Sequence, residues 1–131
     1  MLPLVLAAAL AASPSPCPAD LLVANPSLKI TRDDARGLDQ YIVTIDVTNR
    51  GNGAQPLGTR QHLELLRDGD VLGSQTIPVL GPKQAYVAAF RMRLPHGSTP
   101  LHVQFRYVLD SKNAPRANCT TVNDRLDATL S

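Results

Sequence analysis

The sequence predicts an all-β fold in which two antiparallel sheets pack face to face. Three observations carry that expectation. First, 41–48 (YIVTIDVT) sets Tyr41, Val43, Ile45 and Val47 against Ile42, Thr44, Asp46 and Thr48. Strict alternation gives one apolar and one mostly polar face, and its β-branched residues suit a pleated, half-buried surface. Second, 11 Pro and 8 Gly in 131 residues punctuate the chain at short intervals, as turns between strands require. Third, no segment shows the period of an amphipathic helix.

The elements follow in order. Asp20 to Val23 starts an edge strand that Asn25-Pro26 interrupts and Leu28, Ile30 and Thr31 resume, because proline inside a strand confines it to an edge. The charged, Gly37-containing stretch 32–39 is a loop. The central strand from Tyr41 follows, stopped by Asn49, Gly51, Asn52 and Gly53. After a long connection, Gln61 to Arg67 alternates Leu63 and Leu65 with His62 and Glu64. Asp68-Gly69 makes a tight hairpin into Val71–Ile77. Residues 78–84 (PVLGPKQ) cross to the other sheet. Tyr86, Ala88, Phe90, Met92 and Leu94 form one face of a long strand, with Arg91 and Arg93 opposite, near Thr44, Asp46 and Thr48. Pro95-His96-Gly97 turns the chain. Leu101, Val103, Phe105, Tyr107 and Leu109 form the inner face of the next strand, with His102, Gln104 and Arg106 outside. A polar loop, 110–119, leads to a last strand over Val122–Leu130. Seven strands at this spacing predict an antiparallel β-sandwich of the immunoglobulin or fibronectin type III kind.

The chain is long enough for one domain, and 44% hydrophobic residues suffice for its core. With no Trp and 4% aromatics, that core is aliphatic. A net charge of +2 with no Lys/Arg cluster argues against nucleic acid as a partner. Residues 1–12 (MLPLVLAAALAA) read as the apolar core of a secretory signal peptide, too short to cross a bilayer as a helix. Residues 13–19 are then a proline-rich linker, residues 20–131 the domain, and the mature chain has no transmembrane segment. Export to the periplasm or outside the cell is expected. Beside an unpaired thiol, Cys17 has two readings. One is a disulfide to Cys119, which fits an oxidising compartment and, by closing a loop of about 100 residues, stabilises by several kcal/mol in the chain-entropy model. The other is a lipid anchor, which the residues Pro14-Ser15-Pro16 before the cysteine disfavour.

An ordered series of short motifs resembles the CARDB family, the cell-adhesion-related domain found in bacteria. It comprises Asp20-Leu21-Leu22-Val23, then Val47-Thr48-Asn49-Arg50-Gly51, the Asp68-Gly69 hairpin, Leu80-Gly81-Pro82, Pro95-His96-Gly97, Tyr107-Val108-Leu109-Asp110 and Asn123-Asp124. It spans nearly all of the mature chain. The resemblance implies an immunoglobulin-like sandwich used as a binding or spacer module on exported proteins, and carries over no catalytic residue. Arg116 and Asn118 stand where the family tends to be acidic.

Residue chemistry points the same way. The three histidines, His62, His96 and His102, pair at no metal-ligand spacing. No nucleophile motif and no glycine-rich phosphate loop is present. We therefore expect no catalytic residue, no cofactor and no metal. Two candidate contact regions remain. His62, Glu64, His102, Gln104 and Arg106 should share the outer face of one sheet, as a polar contact patch or an ordinary solvated face; its sharpest version is a weak metal site of His62, Glu64 and His102. The loops 50–58 and 110–118 should share the pole where the first strand begins, offering Asn52, Gln55, Lys112, Asn113 and Arg116 for recognition. The expected function is non-catalytic contact with a protein or glycan of the cell envelope. The alternatives are an enzyme accessory or inhibitor-like module, or a structural subunit of a surface assembly.

Overall fold

The computed structural model describes residues 18–33, 35–110, 117–119 and 124–131. Seven strands form: β1 (Leu21–Arg32), β2 (Leu38–Asn49), β3 (Gln61–Arg67), β4 (Asp70–Ile77), β5 (Ala85–Pro95), β6 (Leu101–Leu109) and β7 (Arg125–Leu130). One sheet has the order β1-β2-β5 and the other β4-β3-β6-β7, with every pairing antiparallel. The fold is the expected immunoglobulin-like sandwich. The connection 78–84 crosses between the sheets as expected.

The alternation in β2 decides the layering. Tyr41, Val43, Ile45 and Val47 are at most 1% exposed. They meet Leu63, Leu65, Val103, Phe105 and Tyr107 of the facing sheet in one continuous core. Phe90 and Phe105 bridge the sheets with tilted rings 6.5 Å apart, a favourable aromatic geometry.

β1 is one strand rather than two pieces. Its pairing with β2 slips between Ala24 and Ser27, where Asn25 takes a φ of 58°. The extra residue inverts the parity, so that Leu28 turns inward after Leu21 and Val23. Asn25 then ties the irregularity to β2 by donating to Asp46 at 3.0 Å.

Two glycines have specific work. A Cβ on Gly51 would lie 2.0 Å from the carbonyl oxygen of Pro18, so the turn after β2 needs a bare backbone to let the residues before β1 pass. In the β3–β4 hairpin, Asp68 and Gly69 have φ of 53° and 84°, the left-handed pair of a type I′ turn. Space around Gly69 is open, so only conformation opposes a side chain there. Gly69→Ala is expected to cost about 1 kcal/mol in urea denaturation.

The packed body reaches into the expected linker. Ala19 is fully buried, and its carbonyl accepts the Cys119 N–H at 2.9 Å. The expected signal segment, Cys17, and Lys112, Asn113 and Arg116 lie outside the described residues, as do residues 120–123 at the expected start of the last strand.

The outer face of the β1-β2-β5 sheet differs from expectation in register. Arg93 stands opposite Gln40 and Arg91 opposite Ile42, while Asp46 faces Val87. Arg93 pairs instead with Asp33 at 2.7 Å. Strand parity is local and readable in sequence; the stagger between strands is set by the loops that join them.

Candidate functional site

Two regions hold the expected contact residues. On β3, His62 and Glu64 point away from the core; on β6, His102, Gln104 and Arg106 do the same. The strands are neighbours, and their register sets Glu64 opposite Arg106 and Leu66 opposite Gln104. All five residues therefore share one face, but they form two groups.

The first group is an ionic cluster. Arg106 donates through Nε at 2.8 Å and Nη2 at 2.5 Å to Glu64 Oε1. His62 lies between two carboxylates, 2.7 Å from Asp110 Oδ2 and 3.4 Å from Glu64 Oε2. The bonds from Arg106 hold the Glu64 carboxyl below its ordinary value of 4.5, against burial and with help from His62. For His62, burial opposes the charge, but the bonds to Asp110 and Glu64 outweigh it and raise the imidazole above 6.5.

These directions fix the pH dependence. A lowered Glu64 contributes stability that is fully present above about 4.5 and lost as pH falls through its folded value. A raised His62 contributes stability that is fully present below about 6.5 and lost as pH rises through its folded value. The cluster is thus strongest between about pH 4.5 and 6.5. The stability difference between the native chain and His62→Gln/Glu64→Gln should peak in that window, at about 1 kcal/mol for a partly exposed cluster. A pH-independent difference would contradict the assignment.

The second group lies further along β6, with His102 four residues, roughly 13 Å, from Arg106 and Gln104 between them. His102 Nδ1 sits 3.1 Å from the Thr129 hydroxyl, and Gln104 donates to Asp127 at 3.1 Å. The trio of His62, Glu64 and His102 is therefore not assembled: His102 belongs to the other group, and among the described residues no three His, Cys, Asp or Glu side chains are placed to hold a metal ion. Sequence reading missed Asp110, Asp127 and Thr129. The parity of β7 carried the signal, since Arg125, Asp127 and Thr129 alternate with the core-packed Leu126 and Ala128.

The second region is the pole where β1 begins. Leu21 N–H donates to Asn118 Oδ1 at 2.9 Å, and Arg50 N–H donates to the Asp20 carbonyl at 2.9 Å, so the segments do converge there. Asn52 is exposed. Gln55 is not available for contact, which corrects the expectation for it. It is 2% exposed and forms a reciprocal amide pair with Gln61, 2.8 Å in each direction. It also donates to the Ala117 carbonyl and accepts from Leu80 N–H. The Tyr107 hydroxyl donates to Gln61 Oε1 in the same network, and burial with the nearby Asp124 charge pushes the phenol's pKa well up. This keeps the phenol a neutral donor. A glutamine in a Gly- and Pro-rich segment looks like a surface residue; its burial depends on three distant segments meeting.

No family model matches the chain, and no curated protein does. Solved structures do. A domain covering residues 272–376 of a protein described as a cell surface protein, from Methanosarcina acetivorans, is similar with a TM-score of 0.58 and 20% identity, covering 84% of this chain and 88% of that one. The CARDB domain of a protein from Pyrococcus furiosus, crystallised in complex with di-metal ions, is similar with a TM-score of 0.51 and 19% identity, covering 86% and 93%. The structural neighbours of this chain thus include a CARDB domain and a cell-surface domain, and at these identities the likeness is one of fold.

Proposed function

We propose that this chain is an exported, non-catalytic binding module that contacts another molecule of the cell envelope, a protein or a surface glycan, through the outer face of its β4-β3-β6-β7 sheet. The observation that carries this reading is the division of labour among polar side chains. Those buried in the body, Asn49, Gln55 and Gln61, are bonded to other parts of the fold. Those outside on β3, β6 and β7 form an ordered, solvent-facing array of ion pairs and hydrogen bonds. Such an array presents fixed donors and acceptors to a partner at little further cost in side-chain order. The fold shared with cell-surface domains supports the reading, and no helix of the described residues is long and apolar enough to cross a membrane.

Export goes with a Cys17–Cys119 disulfide in this proposal. The bond between Cys119 N–H and the Ala19 carbonyl, two residues from Cys17, supports that pairing. The test is affinity capture from the envelope fraction with the tagged mature chain, run beside a His62→Glu/Arg106→Glu variant that reverses the charge of the array. A partner held by the native chain and lost by the variant is the expected result. Equal capture by both, or none by either, would overturn the reading. Intact mass of the bait without reductant should be two hydrogens below the dithiol; a lipid on Cys17 would instead make the chain a membrane-tethered lipoprotein.

A further inference from the structure

A cleft of about 420 Å³ opens in the outer sheet face beside the β3–β4 hairpin, within the size range of small-ligand sites. Leu66, Asp68, His102, Gln104, Asp127 and Thr129 are among its walls. Its floor is unusual. Leu66 follows His62 and Glu64 on the outward parity of β3, yet it is an aliphatic residue only 5% exposed. The strand register sets it between Gln104 on β6 and Val71 on β4, and Val71 is 49% exposed. An apolar strip therefore runs into the cleft from the hairpin.

The rim is negatively charged. Asp68 and Asp127 are its ionisable acids, and no Lys or Arg lines it. Among the described residues neither carboxylate is in a salt bridge, in contrast to Glu64, Asp33 and Asp20, each of which has an arginine. The remaining polar side chains of the wall are Gln104, Thr129 and His102, whose Nδ1 lies 3.1 Å from the Thr129 hydroxyl. We infer that this cleft receives a Lys or Arg side chain from a protein partner, with the aliphatic stem on Leu66 and Val71 and the cationic head between Asp68 and Asp127. A long side chain with an apolar stem and a charged tip matches an apolar floor with an acidic rim. An anion would meet the two carboxylates, and a sugar would find no Trp, Tyr or Phe ring in these walls. The inference rests on the binding reading above and names the partner's chemistry.

The test is an amide-resolved NMR titration of the mature chain with Nα-acetyl-lysine methylamide, alongside the uncharged Nα-acetyl-norleucine methylamide. Saturable shifts should cluster at Leu66, Gly69, Gln104, Asp127 and Ala128. The response should be about tenfold weaker for norleucine, and about tenfold weaker for lysine in Asp68→Asn/Asp127→Asn, the worth of a charge-assisted contact. Asparagine tolerates the left-handed backbone at position 68 as aspartate does, so the variant keeps the hairpin. Equal response to both amides, shifts spread over the whole acidic surface, or an unchanged response in the variant would each overturn the inference. The two readings fail separately. An envelope partner captured equally by the native chain and this variant removes the cleft and leaves the module. Lysine amide saturating the cleft while no envelope partner is captured keeps the cleft and removes the module's proposed role.

Discussion

Asn49→Ala should lower the stability of the domain by about 3 kcal/mol, read as a shift of the urea midpoint at unchanged slope. Asn49 ends β2, is fully buried, and uses both ends of its amide. Its Oδ1 accepts from Asp20 N–H at 3.1 Å and from Gly51 N–H at 3.0 Å. Its Nδ2 donates to the carbonyls of Gly53 at 2.9 Å, Gly81 at 3.1 Å and Leu80 at 3.3 Å. One side chain therefore joins the start of β1, the turn after β2 and the crossover before β5. Alanine leaves those groups without a partner in a place where water reaches only some of them, and each stranded buried group costs about 1–3 kcal/mol. Asn49→Asp should be worse than alanine at neutral pH, because it sets a carboxylate against three carbonyl oxygens. A loss below about 1 kcal/mol in the alanine variant would mean that water replaces the amide and that the three segments hold without it.

Gln55→Leu should cost about 2–3 kcal/mol. Leucine is of similar size but makes none of the four bonds that link Gln55 to Gln61, Ala117 and Leu80. It leaves half of the amide pair facing an aliphatic group. Adding Gln61→Leu should then cost less than its effect alone, because the second leucine removes polar atoms that the first had stranded. Additive losses would show that the two amides do not act as a pair. The same variant separates the structural role from a contact role, since a recognition residue would lose partner affinity while leaving the urea midpoint in place.

The sequence carried much of the sandwich. The parity of Tyr41, Val43, Ile45 and Val47 and the Asp68-Gly69 turn are local signals, and each forces its local structure. The polar face was legible for the same reason, because outward positions on β3 and β6 alternate with core positions. Its division into two groups was not. That depends on which residue of β3 stands beside which residue of β6 and β7, and stagger is fixed by hairpins and crossovers together rather than by either strand.

By itself, then, the amino-acid sequence determined which side chains of β2, β5 and β6 turn inward, where the chain reverses and how many strands there are. Those properties follow from backbone geometry over a few residues. Only the tertiary structure decided that Gln55 is an interior residue, that Asn49 holds three segments, that His62 lies between Asp110 and Glu64, and that Leu66 floors an acid-rimmed cleft. Each of these is a meeting of groups far apart in the chain. Hydrogen bonds and burial between such groups exist only once the sheets are stacked and in register.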